Sequence, residues 1–282
     1  MNANLPPKPT VNSWLADATA QLTANHTPSA RLDAELILSH TLRKPRTWLH
    51  GHGDEPLEAR TQEIANARLD LRLDHVPIAY IIGHKEFYGH VFKVTTATLI
   101  PRPESEALLE LLTIAVPKNA SLTDTLKLVD VGTGSGNLGI SAKLSHPELD
   151  VTLLDISRHA LKVAEENARQ LGAEVTLIQS DLLTSYPFVA DSIIANLPYV
   201  NPVWERSPET NHEPPRALFA ENNGLSFIFE LLIQTKSKLV LGGSLILEAD
   251  PEQHPAIQKE AARYGLILQE TNEYGLLFQK LK

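Results

Sequence analysis

The chain contains no cysteine. Disulfides, thiolate nucleophiles and cysteine-based zinc sites are therefore excluded. The absence also fits a reducing compartment. Positive charge is in short supply: 25 Lys and Arg stand against 34 Asp and Glu, a formal net charge of −9. Such a protein gains little from a phosphate backbone, which disfavours broad nucleic-acid binding without excluding a local basic patch. No uninterrupted apolar run approaches the roughly 20 residues of a membrane span. The opening Met1-Asn2-Ala3-Asn4-Leu5-Pro6-Pro7 has no apolar signal core, so a soluble cytoplasmic protein is the expectation. Internal repeats and low-complexity tracts are also missing. What remains is an ordinary apolar content of 43% over 282 residues. That is enough for two domains, or for one large domain with an appendage.

Residues from about 10 to 75 read as short helices joined by Pro- and Gly-containing pieces. Thr27-Pro28 offers an N-cap and a first-turn proline ahead of Ala30 to Leu38. Pro56 offers a start for a further helix, with Leu57, Ile64, Ala67 and Leu71 as its apolar stripe. His50, His52 and Asp54 form an incomplete ligand set, so they are read as a solvated loop and no metal site is assigned. The segment 87–94 has strand residues on either side of Tyr88-Gly89, the pattern of a β-hairpin. Leu99-Ile100-Pro101-Arg102-Pro103 is a stiff entry to a helix whose first turn carries Glu104 and Glu106, where acids suit the helix dipole. Capping and an active-site role are equally open for these two glutamates.

From Leu126 the pattern alternates strand, glycine loop, helix, strand, helix, strand. Strands are expected at 126–131, 151–155, 175–179, 192–195 and 244–248. Helices are expected at 137–145, 160–168, 227–239 and 255–264, and an antiparallel hairpin closes the chain. This is an α/β protein with a doubly wound, mostly parallel sheet and an antiparallel edge strand. The proline-rich loop 201–223 is expected to frame a site.

Ligands of such sheets bind outside the carboxyl ends of the strands, near the topological switch. Gly132-Thr133-Gly134-Ser135-Gly136 follows the first strand, where backbone can approach a ligand closely. Gly134-x-Gly136-x-x-Gly139 also matches the dinucleotide fingerprint and alone would suit a dehydrogenase. Asp155 ends the second strand, placed to accept ribose hydroxyls. Asp181 ends the third, placed to accept from an adenine amino group with Leu182 packed on the base. After the fourth strand comes Asn196-Leu197-Pro198-Tyr199. The Asn196 side-chain oxygen and the Leu197 carbonyl can accept the two hydrogens of a planar –NH2 group, and the Tyr199 ring can stack on its plane. A strand ending in a proline turn is the plain alternative; the glycine loop upstream argues against it. An adenosine ligand plus a grip for an –NH2 nitrogen points to methyl transfer from S-adenosyl-L-methionine, with positive charge on the acceptor nitrogen stabilised by two carbonyl oxygens.

Several stretches carry a family resemblance: 31–38 (Arg-Leu-Asp-Ala-Glu-Leu-Ile-Leu), 77–83 with 86–89, 99–106 (Leu-Ile-Pro-Arg-Pro-Glu-Ser-Glu), 130–136, and Glu213-Pro214 with Ala217-Leu218. The chain resembles the HemK/PrmC family of peptide-chain release factor glutamine N5-methyltransferases over nearly its whole length, and the Ile-Pro-Arg-Pro segment is the most specific match. The resemblance implies a class I methyltransferase fold behind a small helical N-terminal domain, divided as 1–76 (helical, substrate-recognising), 77–101 (hairpin linker) and 102–282 (cofactor-binding). It implies a release factor as protein partner, and the glutamine amide of a Gly-Gly-Gln loop as acceptor. By position, Gly132 to Gly136, Asp155, Asp181, Leu182 and Asn196 would hold the cofactor, and Asn196, Leu197, Pro198 and Tyr199 the glutamine. The family usually has Asn-Pro-Pro-Tyr; Leu197 departs from it and resembles the form of the rRNA adenine dimethylases. An adenine-N6 methyltransferase acting on RNA or DNA, and a binding module that has kept the fold without activity, are the alternatives.

Overall fold

The computed structural model describes residues 8–116 and 125–281. Met1 to Pro7, read above for a signal core, lie outside the described residues. The chain folds as two units, one of residues up to Gly83 with Ser207–His212, the other of His84–Arg206 and Glu213–Lys282. The segment 77–101 expected as a linker divides between them: a short helix, Ile78–Ile82, precedes the boundary and the hairpin follows it.

The helical unit begins with α1 (Val11–Ala24), which presents Val11, Trp14, Leu15, Ala18 and Leu22 inward at helical spacing. Thr10 and Ser13 form a reciprocal capping box at its start. α2 (Ala30–Leu42) packs Ala34, Ile37 and Leu38 against it. The cap expected from Thr27-Pro28 is not formed: Ser29 is the N-cap and makes no side-chain cap hydrogen bond. α3 (Arg46–Gly51) follows, and His52 is occupied by stacking on Trp48 and bonding its carbonyl. α4 (Ala59–Leu73) starts at Ala59, not Pro56, which instead bridges to Thr10. Its buried stripe is Ala65, Leu69 and Arg72, while Ile64 and Leu71 face solvent. The reading from apolar residues misplaced the face because its third member is an arginine. Arg72 is buried against Asp33 of α2 at 2.6 Å and also bonds Glu209, so a charge pair stands where an apolar contact was expected. α5 (Ile78–Ile82) ends at Gly83 in the left-handed region.

The second unit opens with the hairpin β1 (His84–Phe87) and β2 (His90–Lys93). Both turn residues carry positive φ, Tyr88 at 49° and Gly89 at 74°, as a two-residue primed turn requires. Glu106 accepts from the Tyr88 N–H at 2.8 Å. α6 (Glu106–Ala115) leads to β3 (Lys127–Val131), α7 (Asn137–Ser145), β4 (Asp150–Asp155), α8 (Arg158–Leu171), β5 (Thr176–Gln179) and β6 (Ala190–Ala195). The expected loop 201–223 contains α9 (Pro215–Leu218) and a turn at Pro208–His212, and it runs on into α10 (Glu221–Gly224). Then come α11 (Ser226–Lys238), β7 (Leu239–Glu248), α12 (His254–Ala262), β8 (Leu266–Thr271) and β9 (Gly275–Lys280).

Strand order is β5-β4-β3-β6-β7-β9-β8, with β9 alone antiparallel to both neighbours. This is the mostly parallel sheet with an antiparallel edge hairpin that the alternation predicts. Strand residues divide between the two faces with period two. Val129, Ile193, Leu245 and Leu247 join the core under α11 and α12; Leu128, Ile194 and Ile246 join the core under α6, α7 and α8. A sheet covered on both sides must be apolar on both sides, which is why these strands read as continuous apolar runs. Lys280, buried at the end of β9, donates to the carbonyls of Thr235, Lys236 and Leu239 and so serves the open carboxyl end of α11. No helix among the described residues is long and apolar enough to cross a membrane.

Candidate active site

The switch in strand order lies between β3 and β6. Their register pairs Val131 with Ala195, so Gly132 and Asn196 leave the sheet side by side. Gly132 has φ +73°, and a Cβ there would meet the Leu197 side chain at 3.0 Å. Leu197 is thus packed beneath the glycine loop and is 4% exposed. This gives Leu197 a structural reason independent of the acceptor.

The glycine loop is held from below. Asp130 is fully buried and accepts from Thr133 Oγ1 at 2.6 Å and from the Gly139 N–H at 2.9 Å. Burial pushes its pKa up to about 6, although both hydrogen bonds oppose the rise. Asn167 of α8, also buried, accepts from the Lys93 N–H and donates to the carbonyls of Lys93 and Ser135, tying the hairpin to the loop. Gly136, the left-handed N-cap of α7, is in close contact with Ile140 and Ala164. Its need for glycine comes from this φ of +83° and from helix packing.

A cavity of about 1010 Å³ opens at these strand ends. Gly132, Thr133, Gly134, Ser135, Asp155, Asp181, Leu182, Asn196, Leu197 and Pro198 line it; Gly136 and Tyr199 are not on its wall. Gly136 lies behind the loop, and Tyr199 is held away by its own partners. The Asp155 carboxylate accepts from the Gly134 N–H at 2.9 Å and the Ser157 N–H at 2.8 Å, with the Ile156 N–H also turned toward it. A carboxylate offers about four lone-pair sites, so it can still accept from a ribose hydroxyl. Burial raises the Asp155 pKa against these bonds. Asp181 is exposed beside Leu182, whose left-handed φ of 46° marks a sharp turn at the wall.

The opposite wall is the segment 97–102 with Pro214, Pro215 and Arg216. Glu213, 3% exposed, joins the two parts: it accepts from the Ile100 N–H at 3.1 Å and pairs with Arg102. The Ile-Pro-Arg-Pro and Glu-Pro stretches are therefore two halves of one strap. Ser105 follows, fully buried, and its Oγ accepts from the Asn196 Nδ2 at 2.9 Å. Tyr199 donates to Glu248 Oε1 at 3.1 Å. Burial, then the Glu248 charge, pushes the Tyr199 phenol far above its ordinary pKa, so it stays protonated. Ser105 and Glu248, which hold the motif, Asn167, which holds the glycine loop, and Glu213, which holds the strap, are not singled out as site residues by the sequence. The available signal was positional: Glu248 ends β7 just as Asp155 ends β4. Among the described residues no group of three or more His, Asp or Glu is arranged to hold a metal.

A model of the PrmC N-terminal domain matches residues 13–83, and one of the methyltransferase small domain matches 105–212. A release factor glutamine methyltransferase of Deinococcus radiodurans is 34% identical over 254 residues, covering 89% of this chain and 90% of its own. The chain belongs to the release factor glutamine methyltransferase family. The Escherichia coli member is 32% identical over 264 residues, 90% of this chain and 89% of its own. A solved methyltransferase from Pyrococcus furiosus shares the fold at a TM-score of 0.52 and 17% identity, over 77% of this chain and 98% of that one. This family member is an α/β class I methyltransferase whose cofactor is S-adenosyl-L-methionine. The donor set fits it: close-approach backbone at Gly132 and Gly134, a carboxylate with remaining acceptor capacity at Asp155, and an exposed acid at Asp181 beside apolar Leu182.

Proposed function

We propose that this enzyme methylates the side-chain amide nitrogen of the glutamine in the Gly-Gly-Gln loop of a peptide-chain release factor, in the cytoplasm. The supporting observation is the pairing of Val131 with Ala195, which sets the glycine loop and Asn196 side by side at one cavity. In this reading Gly132, Thr133, Gly134, Ser135, Asp155, Asp181 and Leu182 hold the cofactor, with Gly136 shaping the loop from behind. Asn196, Leu197, Pro198 and Tyr199 form the acceptor grip. The bound cofactor supplies an electrophilic methyl group on a sulfonium.

The work of the chain's own residues is to overcome a poor nucleophile. An amide nitrogen has a delocalised lone pair, and alignment with the methyl carbon must be supplied by binding. Asn196 Nδ2 is engaged by Ser105, which leaves Oδ1 as the free end of that side chain. The Leu197 carbonyl makes no hydrogen bond among the described residues. These two oxygens would accept the two amide hydrogens and stabilise charge growing on nitrogen. Tyr199, off the cavity wall and fixed through its hydroxyl to Glu248, would back the grip from behind. A cationic product nitrogen can lose its proton to water, so no strong side-chain base is required.

The adenine-N6 reading drew on Leu197. Its burial against Gly132 offers a packing reason for that residue, and the net charge of −9 does not favour a polyanionic substrate. The test is methyl transfer from labelled S-adenosyl-L-methionine to a purified release factor, beside a copy whose Gly-Gly-Gln glutamine is alanine, with structured rRNA in parallel. Label on the normal factor alone is expected. Label on RNA alone would overturn the proposal.

A further inference from the structure

Glu248 stands next to Asn196 because the β6–β7 register pairs Ala195 with Leu247. It is 2% exposed, an acid at the end of a central strand with no basic partner in the described residues. Its Oε1 accepts from Tyr199, and Ser105 and Asn196 turn toward the same carboxyl group. Its Oε2 is buried and takes no full hydrogen bond. Burying a carboxyl group in this way is costly, and neither the fold nor the cofactor site accounts for it.

An asparagine amide has two ends of nearly the same shape and opposite hydrogen-bonding character. Side-chain packing alone does not choose between them; the neighbours do. With Nδ2 inward, Asn196 donates to Ser105 Oγ and turns its N–H side toward the Glu248 carboxyl group. With Oδ1 inward, oxygen would face oxygen beside a buried acid, and Nδ2 would point at the acceptor. A donor there would repel the two amide hydrogens that the grip must receive. One buried carboxyl group thus holds the tyrosine of the motif and faces its amide.

We propose that Glu248 and Ser105 are positioning residues that fix the Asn196 amide with Nδ2 inward and Oδ1 toward the acceptor nitrogen. This rests on Asn196 being part of the acceptor grip, as proposed above. Glu248→Gln keeps the volume but offers an amide in place of the acceptor, and Ser105→Ala removes the hydroxyl.

The experiment measures kcat and KM for methyl transfer to a release factor in the full-length enzyme, with S-adenosylhomocysteine affinity by calorimetry. The variants are Glu248→Gln, Asn196→Ala and the pair combined. The expected kcat of Glu248→Gln is lower by about tenfold or more, with KM and cofactor affinity within about threefold. In the Asn196→Ala background the same change should cost little further, since a glutamine's Oε1 can still accept from Tyr199. Ser105→Ala should also lower kcat, and Ser105→Thr, which keeps the hydroxyl, should retain most of it. Glu248→Gln with kcat within about twofold of the parent, or a full additional loss in the combined variant, overturns the proposal. Asn196→Ala with undiminished kcat overturns instead the reading of the site on which it rests. Should Glu248→Gln fail to fold, the Ser105→Ala and Ser105→Thr pair decides: equal activity in the two rejects the role.

Discussion

A Cβ on Gly224 would lie 1.9 Å from the carbonyl oxygen of Tyr199. That oxygen also accepts from Gln253 Nε2 at 2.9 Å, and the same amide reaches the Asn223 carbonyl at 2.8 Å. Residues 222–224 all carry positive φ, at 54°, 56° and 85°. The end of the Asn196-Leu197-Pro198-Tyr199 stretch is therefore clamped by a left-handed turn on one side and a buried glutamine on the other.

Gly224→Ala should be among the most damaging small substitutions in the chain. The added carbon overlaps backbone, which cannot rotate away, and φ of +85° is strained for alanine as well. The expected loss is about 3 kcal/mol or more, with kcat falling further as Tyr199 shifts. Denaturant unfolding and methyl-transfer rates check it. A variant within about 0.5 kcal/mol of the parent and equally active would mean that the turn is not part of the clamp.

Leu197→Pro restores the residue usual in the family. The Leu197 N–H makes no hydrogen bond among the described residues, so proline removes none. It does remove part of a side chain buried against Gly132. The expected outcome is unchanged acceptor choice, with stability lower by about 1–3 kcal/mol. Thermal unfolding and a glutamine-versus-RNA methylation assay read both. A switch in acceptor would show that Leu197 tunes specificity.

Most of what organises the site was legible in strand ends. The glycine loop, Asp155, Asp181 and Asn196 each follow a short apolar run, and parallel register then brings them together. The residues that hold them were harder to read. Glu248 ends a strand like Asp155, but it lies far along the chain and no local pattern tells a buried acid from a solvated one. Gln253 and Asn167 sit on helices as ordinary polar residues, and their value depends on which carbonyl they meet. α4 was misread for a related reason: hydrophobic periodicity assumes that the buried face is apolar, and Arg72 breaks that assumption.

The pH dependence of stability should carry the signature of Asp130. Its folded pKa is about 6 against an ordinary 3.8, because burial disfavours the charged form. The folded state therefore binds the proton more tightly than the unfolded chain does. The contribution is fully present below the ordinary pKa and is lost as pH rises through about 6. A rise from 3.8 to about 6 corresponds to a loss on the order of 3 kcal/mol. Asp130→Asn lacks this titration and keeps an oxygen to accept from Thr133 and Gly139. Unfolding free energies between about pH 4 and pH 8 should show the parent losing stability relative to Asp130→Asn as pH rises. Parallel curves would assign the pH dependence to other groups; Asp155, raised by burial, is the first to test.

The Arg72–Asp33 pair should be the electrostatic keystone of the helical unit. Both side chains are 3% exposed and 2.6 Å apart. Arg72 also holds Glu209, from the segment Ser207–His212 that folds with the helical unit. Burial disfavours the guanidinium charge, but Asp33 and Glu209 outweigh it and hold the pKa above its ordinary value. Removing one partner strands a buried charge, so Asp33→Ala should cost about 3–5 kcal/mol. Glu209 is 37% exposed, and water can replace it at Arg72, so Glu209→Ala should cost no more than about 1 kcal/mol. Replacing both buried partners, Asp33→Leu with Arg72→Met, should recover most of the loss, because apolar residues of similar volume need no counter-charge. Chemical denaturation of the four proteins tests the order. A double variant as unstable as Asp33→Ala would mean that the pair is held for its hydrogen bonds to the chain around it, among them Arg72 to the Val76 carbonyl.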